Sequence, residues 1–252
     1  MRFIRFINKG KLQKQGWVNG ELVGEVEGNL FEEYRRLEAI IPLEEIKLCA
    51  PIKPGKIIGV GRNYVEHAKE QGVEVPQTPL IFLKPPSSVI GPLEKILLPI
   101  QSQRVEHEAE LVVVIGKTAR WIEVEKACEY VFGYTIGNDV TARDLQHKDG
   151  QWTRSKGFDT FCPIGPWIET DLDFSDTLIS CRVNGELRQM ASTREMVFTV
   201  PQLIAYITSI MTLEPGDLIF TGTPAGIGLL TIRDHIEIEI EGIGILKNDV
   251  AE

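Results

Sequence analysis

The sequence predicts a β-rich α+β fold with a small β-rich unit at its N-terminus, and three observations predict it. Apolar runs of strand length outnumber the helical stretches. The two kinds do not alternate regularly, as a doubly wound parallel sheet would require. A joint broken by two prolines, "CAPIKPGK", separates the first fifty or so residues from the rest. With 252 residues, 43% hydrophobic and 25% charged, the chain has the length for a sizeable core and the composition of an ordinary globular protein.

The expected units are residues 1–52 and 53–252. In the first, "RFIRF" and "GWVNGELVGEVEG" read as strands, with Asn19-Gly20 as a two-residue hairpin turn, and "LFEEYRRLEAI" reads as a helix. In the second, "KIIGVG", "LIFLK", "ELVVVIG", "YVFGYTIGND", "LISCRVNGELR", "DLIFTG" and "IEIEIEGIGIL" read as strands. Helices are expected around "NYVEHAKEQG", "IEVEKACEYV", "DVTARDLQHK" and "VPQLIAYITSIM". The chain has no internal repeat and no low-complexity tract.

The net charge of -9 argues against a nucleic-acid surface, because neutralising phosphates needs a clustered excess of Lys and Arg. An anionic ligand would therefore need a local positive site or a cation. No stretch reaches the length that spans a bilayer, and "MRFIRFINKGKLQ" lacks a sustained apolar run. A cytoplasmic protein without a membrane partner is the expectation. Cys49, Cys128, Cys162 and Cys181 are scattered without a CxxC pair, which suits small buried thiols better than disulfides or zinc, and the four histidines are equally dispersed.

The chemistry begins at "VEHEAELVVVIGK". Glu108 and Glu110 share a strand face with Val112 and Val114, with Glu106 in the same phase, while Leu111, Val113 and Ile115 make the opposite face apolar too. A strand apolar on both faces is buried, so the glutamates stand at its mouth. Two carboxylates one pleat apart repel by roughly 2 kcal/mol at an effective dielectric near 20. Solvent or lysine partners would relieve that. So would a hard cation such as Mg²⁺ or Mn²⁺, which prefers oxygen ligands.

Further reagents lie on other segments. In "GNDVTARDLQHK", Asp139, Arg143 and Gln146 have the spacing of one helical face, fitting either a solvated ion pair or a site for metal and carboxylate. His67 and Glu70 in "GRNYVEHAKEQG" are three apart on an expected helix, so the carboxylate can orient the imidazole, although an exposed pair has the same spacing. Lys156 falls in a Gly-flanked loop, "TRSKGFDTFCPIGP". "LEPGDLIFTGTPAGIG" ends a strand in a glycine-rich turn where Thr221 or Thr223 offers a hydroxyl. It has neither the Lys-Ser/Thr of a P-loop nor GxGxxG, and the chain has no GxSxG elbow.

Taken in order, "GRNYVEHAKE", "HEAELVVVIGK", "GNDVTARDLQ", "SKGFDTFCPIGP", "VNGELRQ" and "PGDLIFTGTPAGIG" resemble the fumarylacetoacetate hydrolase family from about Lys56 to the C-terminus. The resemblance implies a mixed β-roll catalytic domain, a homodimer and one divalent ion per site, Mg²⁺ or alternatively Mn²⁺. It implies Glu108, Glu110 and Asp139 as metal ligands and Lys156 as the active-site lysine. Arg62, Arg143, Gln146 and Thr223 fall at substrate-binding positions, and His67 with Glu70 matches a catalytic dyad on a helix that closes over the substrate.

The same resemblance implies a small anionic 2-oxo acid as substrate. The first expectation is hydrolysis or decarboxylation of an acylpyruvate-like or oxaloacetate-like acid through an enolate stabilised by the ion and Lys156. The alternatives are a 2-hydroxyhepta-2,4-diene-1,7-dioate isomerase or the related decarboxylase of aromatic-acid breakdown, and a metal-containing binding protein without turnover.

Overall fold

A computed structural model of the chain describes residues 1–10 and 12–252. Among the described residues the fold is sheet-rich, with four α-helices of which only one exceeds two turns: α1 (Val65–Glu70), α2 (Arg143–Asp149), α3 (Thr153–Lys156) and α4 (Val200–Ile210). The largest sheet has 13 strands. Its main path runs from Tyr34–Arg36 through Leu22–Gly28, Gln13–Asn19, Arg2–Asn8, Cys162–Glu169, Val131–Asn138, Ala109–Ile115, Leu218–Phe220 and Ile57–Gly61 to Leu80–Lys84. A five-stranded sheet (Lys95–Leu97, Gly244–Ala251, His235–Ile240, Leu178–Val183, Glu186–Ser192) packs against it, and a three-stranded one (Thr141–Ala142, Val105–His107, Gly228–Leu229) lies at the strand ends. Pairing is mostly antiparallel, with Leu218–Phe220 parallel to Ile57–Gly61. The β-rich α+β expectation holds. The N-terminal strands continue the large sheet through pairing of Arg2 with Glu169 and Phe3 with Ile168.

Strand Ala109–Ile115 is buried throughout, and its alternation assigns its two faces. Leu111, Val113 and Ile115 enter the main core with Ile179, Ile238 and Leu246 of the five-stranded sheet and with Leu203, Ile204 and Ile207 of α4. Val112 and Val114 face a second cluster with Phe3, Ile57, Ile164 and Phe220. α4 buries Leu203, Ile204 and Ile207 at helical spacing, and at its start Gln202 Oε1 accepts from the Thr199 N–H at 2.8 Å.

Three local expectations are corrected. "LFEEYRRLEAI" is not a helix: Tyr34–Arg36 pairs with the edge of Leu22–Gly28, and Phe31 and Tyr34 pack against Phe132 and Phe3 at ring separations of 5.1 and 5.6 Å. Covering an open sheet edge outweighs a weak helical periodicity. The hairpin turn sits one residue later than Asn-Gly predicts, at Gly20-Glu21, with Asn19 paired to Leu22 and Gly20 at φ 60° in the first turn position. "IEVEKACEYV" forms a 3₁₀-helix over Val124–Tyr130 instead of an α-helix. Cys49, Cys162 and Cys181 are buried free thiols, as expected, whereas Cys128 is exposed. No described helix is long and apolar enough to cross a membrane.

Because Ile204 is fully buried between α4 and the sheets, Ile204→Ala should lower unfolding stability by about 2–5 kcal/mol in urea denaturation. A loss under 1 kcal/mol would show that α4 does not close the main core.

Candidate metal and acid-binding site

The large sheet brings a set of charged side chains together at its strand ends. At Glu108 the chain leaves the strand Val105–His107 of the small sheet and enters Ala109–Ile115 of the large one. Asp139 directly follows strand Val131–Asn138, and its N–H donates to the Glu108 carbonyl at 2.9 Å. Carboxylate oxygens of Glu108, Glu110 and Asp139 thereby come within 4.8 Å of one another, all buried.

Cations are built in around them. Arg143, the first residue of α2, donates through Nη2 to Glu108, through Nε to Glu106 Oε2 at 2.7 Å and through Nη1 to Gln146 Oε1 at 2.6 Å. Lys156, ending α3, donates to Glu108 Oε2 at 2.7 Å and to Asp139 Oδ2 at 2.5 Å. Lys84, at the end of Leu80–Lys84, donates to Asp139 Oδ1 and to the Lys156 carbonyl, both at 2.6 Å. Glu110 differs: its Oε2 accepts one backbone bond, from the Gly222 N–H at 2.7 Å, and no cation pairs with it among the described residues. Gly222 adopts φ 99°, and a β-carbon there would collide with Asn63, so this donor requires glycine.

The electrostatics follow the partners. Burial opposes the Glu108 charge, but Lys156 and Arg143 outweigh it and hold the carboxyl far below its ordinary range. Burial and the neighbouring Asp139 and Glu108 push Glu110 well above that range. Lys156 is penalised by burial, yet Asp139 and Glu108 raise it overall. Three convergent carboxylates, one without a counter-charge, and no nitrogen or sulfur donor among them form a donor set that fits a hard divalent cation.

All the candidate residues except Glu70 line one cavity of about 10 Å³ over this cluster: Arg62, His67, Glu108, Glu110, Asp139, Arg143, Gln146, Lys156 and Thr223. That is room for a single water. Glu70 lies one layer out. Its Oε2 lies 3.4 Å from His67 Nδ1, and its Oε1 accepts from the Gly226 N–H at 3.1 Å. His67 is buried at 3% exposure whereas Glu70 is exposed, so the imidazole is not the surface group that the alternative reading of this spacing assumed. A carboxylate can only accept, which places the imidazole proton on Nδ1 and leaves Nε2 to accept from Gln71 at 3.1 Å. Burial lowers the His67 pKa despite the nearby carboxylates.

Some details differ from the sequence reading. Asp139 does not share a helical face with Arg143 and Gln146: strand Thr141–Ala142 intervenes and α2 starts at Arg143. Lys156 ends a one-turn helix instead of lying in a loop. Thr223 Oγ1 already donates to the Ala109 carbonyl at 2.9 Å, and Thr221 Oγ1 to the Leu111 carbonyl at 2.8 Å. Arg62 has φ 59°, and its buried Nε has no partner among the described residues.

Sequence reasoning missed Lys84, Gln71, Phe82 and Trp152. Phe82 and Lys84 alternate on one strand face, so a lysine in phase with an aromatic in "LIFLKPP" was the available signal. Lys84→Met, which leaves Asp139 short of a buried partner, should cost about 3–5 kcal/mol in chemical denaturation without added metal. Lys69→Met, at an exposed helical pair, should stay within about 0.5 kcal/mol. Equal effects would contradict the assignment of Lys84 to the buried cluster.

Comparison with known proteins identifies the family. The family model described as "Fumarylacetoacetate (FAA) hydrolase C-terminal" matches residues 56–251, and one described as "Rv2993c-like, N-terminal" matches residues 1–51. The rat protein named oxaloacetate tautomerase Fahd2a, mitochondrial, is 44% identical over 223 residues, covering 84% of this chain and 71% of its own. A solved structure of 2-hydroxyhepta-2,4-diene-1,7-dioate isomerase from Mycobacterium marinum is 41% identical with a TM-score of 0.92, covering 100% of this chain and 98% of its own. A fumarylacetoacetate hydrolase from Exiguobacterium antarcticum is 38% identical with a TM-score of 0.87, covering 100% and 99%. The motifs, the fold and these matches agree: the chain belongs to the fumarylacetoacetate hydrolase family.

Proposed function

We propose that this protein is a divalent-metal-dependent enzyme that moves a proton between carbon and oxygen of a small 2-oxo dicarboxylic acid, a tautomerase or isomerase of the oxaloacetate type. One observation carries the reading: a buried imidazole, with Nδ1 3.4 Å from the Glu70 carboxylate, shares a single cavity with three carboxylates of hard-metal type. The names of the rat relative and of the Mycobacterium marinum structure support the same reaction class.

Glu108, Glu110 and Asp139 would hold Mg²⁺ or Mn²⁺, which would supply Lewis acidity toward the keto group of a 2-oxo acid. The chain's own groups supply the rest. His67 is neutral near pH 7, so Nε2, once Gln71 turns aside, can take the proton from the carbon beside the keto group. Glu70 holds the tautomer and stabilises the imidazolium. Lys156 places positive charge where electrons collect on oxygen. Arg62, whose Nε is unpartnered among the described residues, suits the distal carboxylate, and Gln146 also lines the cavity, held by Arg143. Since the cavity holds about one water, a substrate has to displace part of its wall, and α1, which carries His67, is the element we assign to that movement.

Hydrolysis or decarboxylation of an acylpyruvate-like or oxaloacetate-like acid is the second reading. It is favoured by the Glu70 pairing, which would equally let His67 take a proton from water.

The test is product analysis with enol-oxaloacetate, acetylpyruvate and a hydroxydiene dioate in Mg²⁺. Faster ketonisation of oxaloacetate or a mass-neutral shift in the diene is expected, abolished by EDTA. Two acids or CO₂ would install the second reading, and no turnover of any of the three would contradict both. His67→Gln should lower kcat by about 10²–10⁴-fold, and retention of full activity would remove His67 from the reaction. Since burial lowers the His67 pKa, the working neutral form persists until the pH falls through that lowered value. The acid limb of kcat/KM should therefore lie below the ordinary histidine value of 6.5, and a limb above it would contradict the assignment.

A further inference from the structure

Ala109 is the single residue between Glu108 and Glu110, and its peptide groups fix the separation of the two carboxylates. On one strand edge Glu108 is held by its neighbours: its N–H donates to Asn138 Oδ1 at 2.9 Å and its carbonyl accepts from Asp139. Ala109 bonds on the opposite edge, as strand alternation requires. Its N–H donates to Gln189 Oε1 at 3.1 Å, and its carbonyl accepts from Thr223 Oγ1.

Gln189 belongs to strand Glu186–Ser192 of the five-stranded sheet and is fully buried. Its amide uses all of its capacity. Oε1 also accepts from His107 Nδ1 at 3.0 Å, and Nε2 donates to Thr223 Oγ1 and to the Pro224 carbonyl, both at 2.8 Å. The Ala109 N–H can only donate and the Pro224 carbonyl can only accept, so the amide has one permitted orientation. His107 must then carry its proton on Nδ1.

We infer that Gln189 is a positioning residue that sets the spacing of Glu108 and Glu110 from the second sheet. It acts through the peptide between them and through the loop whose Gly222 N–H holds Glu110. The inference rests on the metal-holding role proposed for those carboxylates. Gln189 does not face the cavity, so it acts on the ion only through others.

Mn²⁺ binding to the full-length chain, followed by the electron paramagnetic resonance signal of free Mn²⁺, tests this alongside thermal melting in EDTA. Gln189→Met should weaken Mn²⁺ binding on the order of 10–100-fold, the loss usual for groups that orient metal ligands. Gln189→Glu keeps the acceptor for Ala109 but sets oxygen against Thr223 and the Pro224 carbonyl, so it should weaken binding less. Asn248→Ala removes buried bonds to Gly91 and Glu94 on another strand and should lower the melting temperature while leaving the dissociation constant unchanged. Folded Gln189→Met with wild-type affinity, or an equal loss in Asn248→Ala, overturns the inference. If Gln189→Met does not fold, wild-type affinity in Gln189→Glu overturns it. If the wild type binds no Mn²⁺, the metal reading itself fails and this inference falls with it.

Discussion

The centre of this protein depends on keeping Glu106, Glu108, Glu110 and Asp139 buried within reach of three buried cations among the described residues, Lys84, Arg143 and Lys156. Four carboxylates against three buried cations leave one charge to be met, by a proton, as the raised pKa of Glu110 implies, or by a cation. Arg104 reaches Glu106 from the exposed side at 2.6 Å, which relieves that member. Glu110 alone has only a backbone donor, so the deficit concentrates where the three convergent carboxylates meet. A proton on Glu110 meets the deficit, and a divalent cation in its place would reverse it.

The fold reads as the means of holding that arrangement. A strand buried on both faces provides a rigid rail for Glu110, and its exit at Glu108 into a different sheet turns the chain so that carboxylates from two strand ends converge. Short helices then bring the cations: Arg143 begins α2 and Lys156 ends α3. His67 sits on a separate short helix. α1 is pinned beside its start by Asn63, which bonds Thr221 and Phe198, and near its end by Glu70 on Gly226. His67 is thereby held against the same glycine-rich loop that holds Glu110.

Much of this was legible in the sequence because it rests on alternation and local spacing. The period of two places Glu108 and Glu110 at one strand mouth, and the three-residue step places Glu70 beside His67. Partners far apart in sequence were not legible. Lys84 meets Asp139 across 55 residues, and Gln189 meets Ala109 across 80, so only the paired sheets reveal them. The mistaken helix at residues 30–40 and the supposed stripe of Asp139 with Arg143 share one cause. Spacing by three and four arises by chance in short segments, and pairing with a neighbouring strand overrides it.

The most direct test of the central claim is anomalous diffraction from crystals of the wild-type protein soaked in Mn²⁺. The expected result is one anomalous peak per chain within bonding distance of oxygens of Glu108, Glu110 and Asp139, with Lys156 displaced from at least one of its two carboxylates. Absence of a peak at that cluster in metal-saturated crystals, or a peak held by other residues, would contradict it.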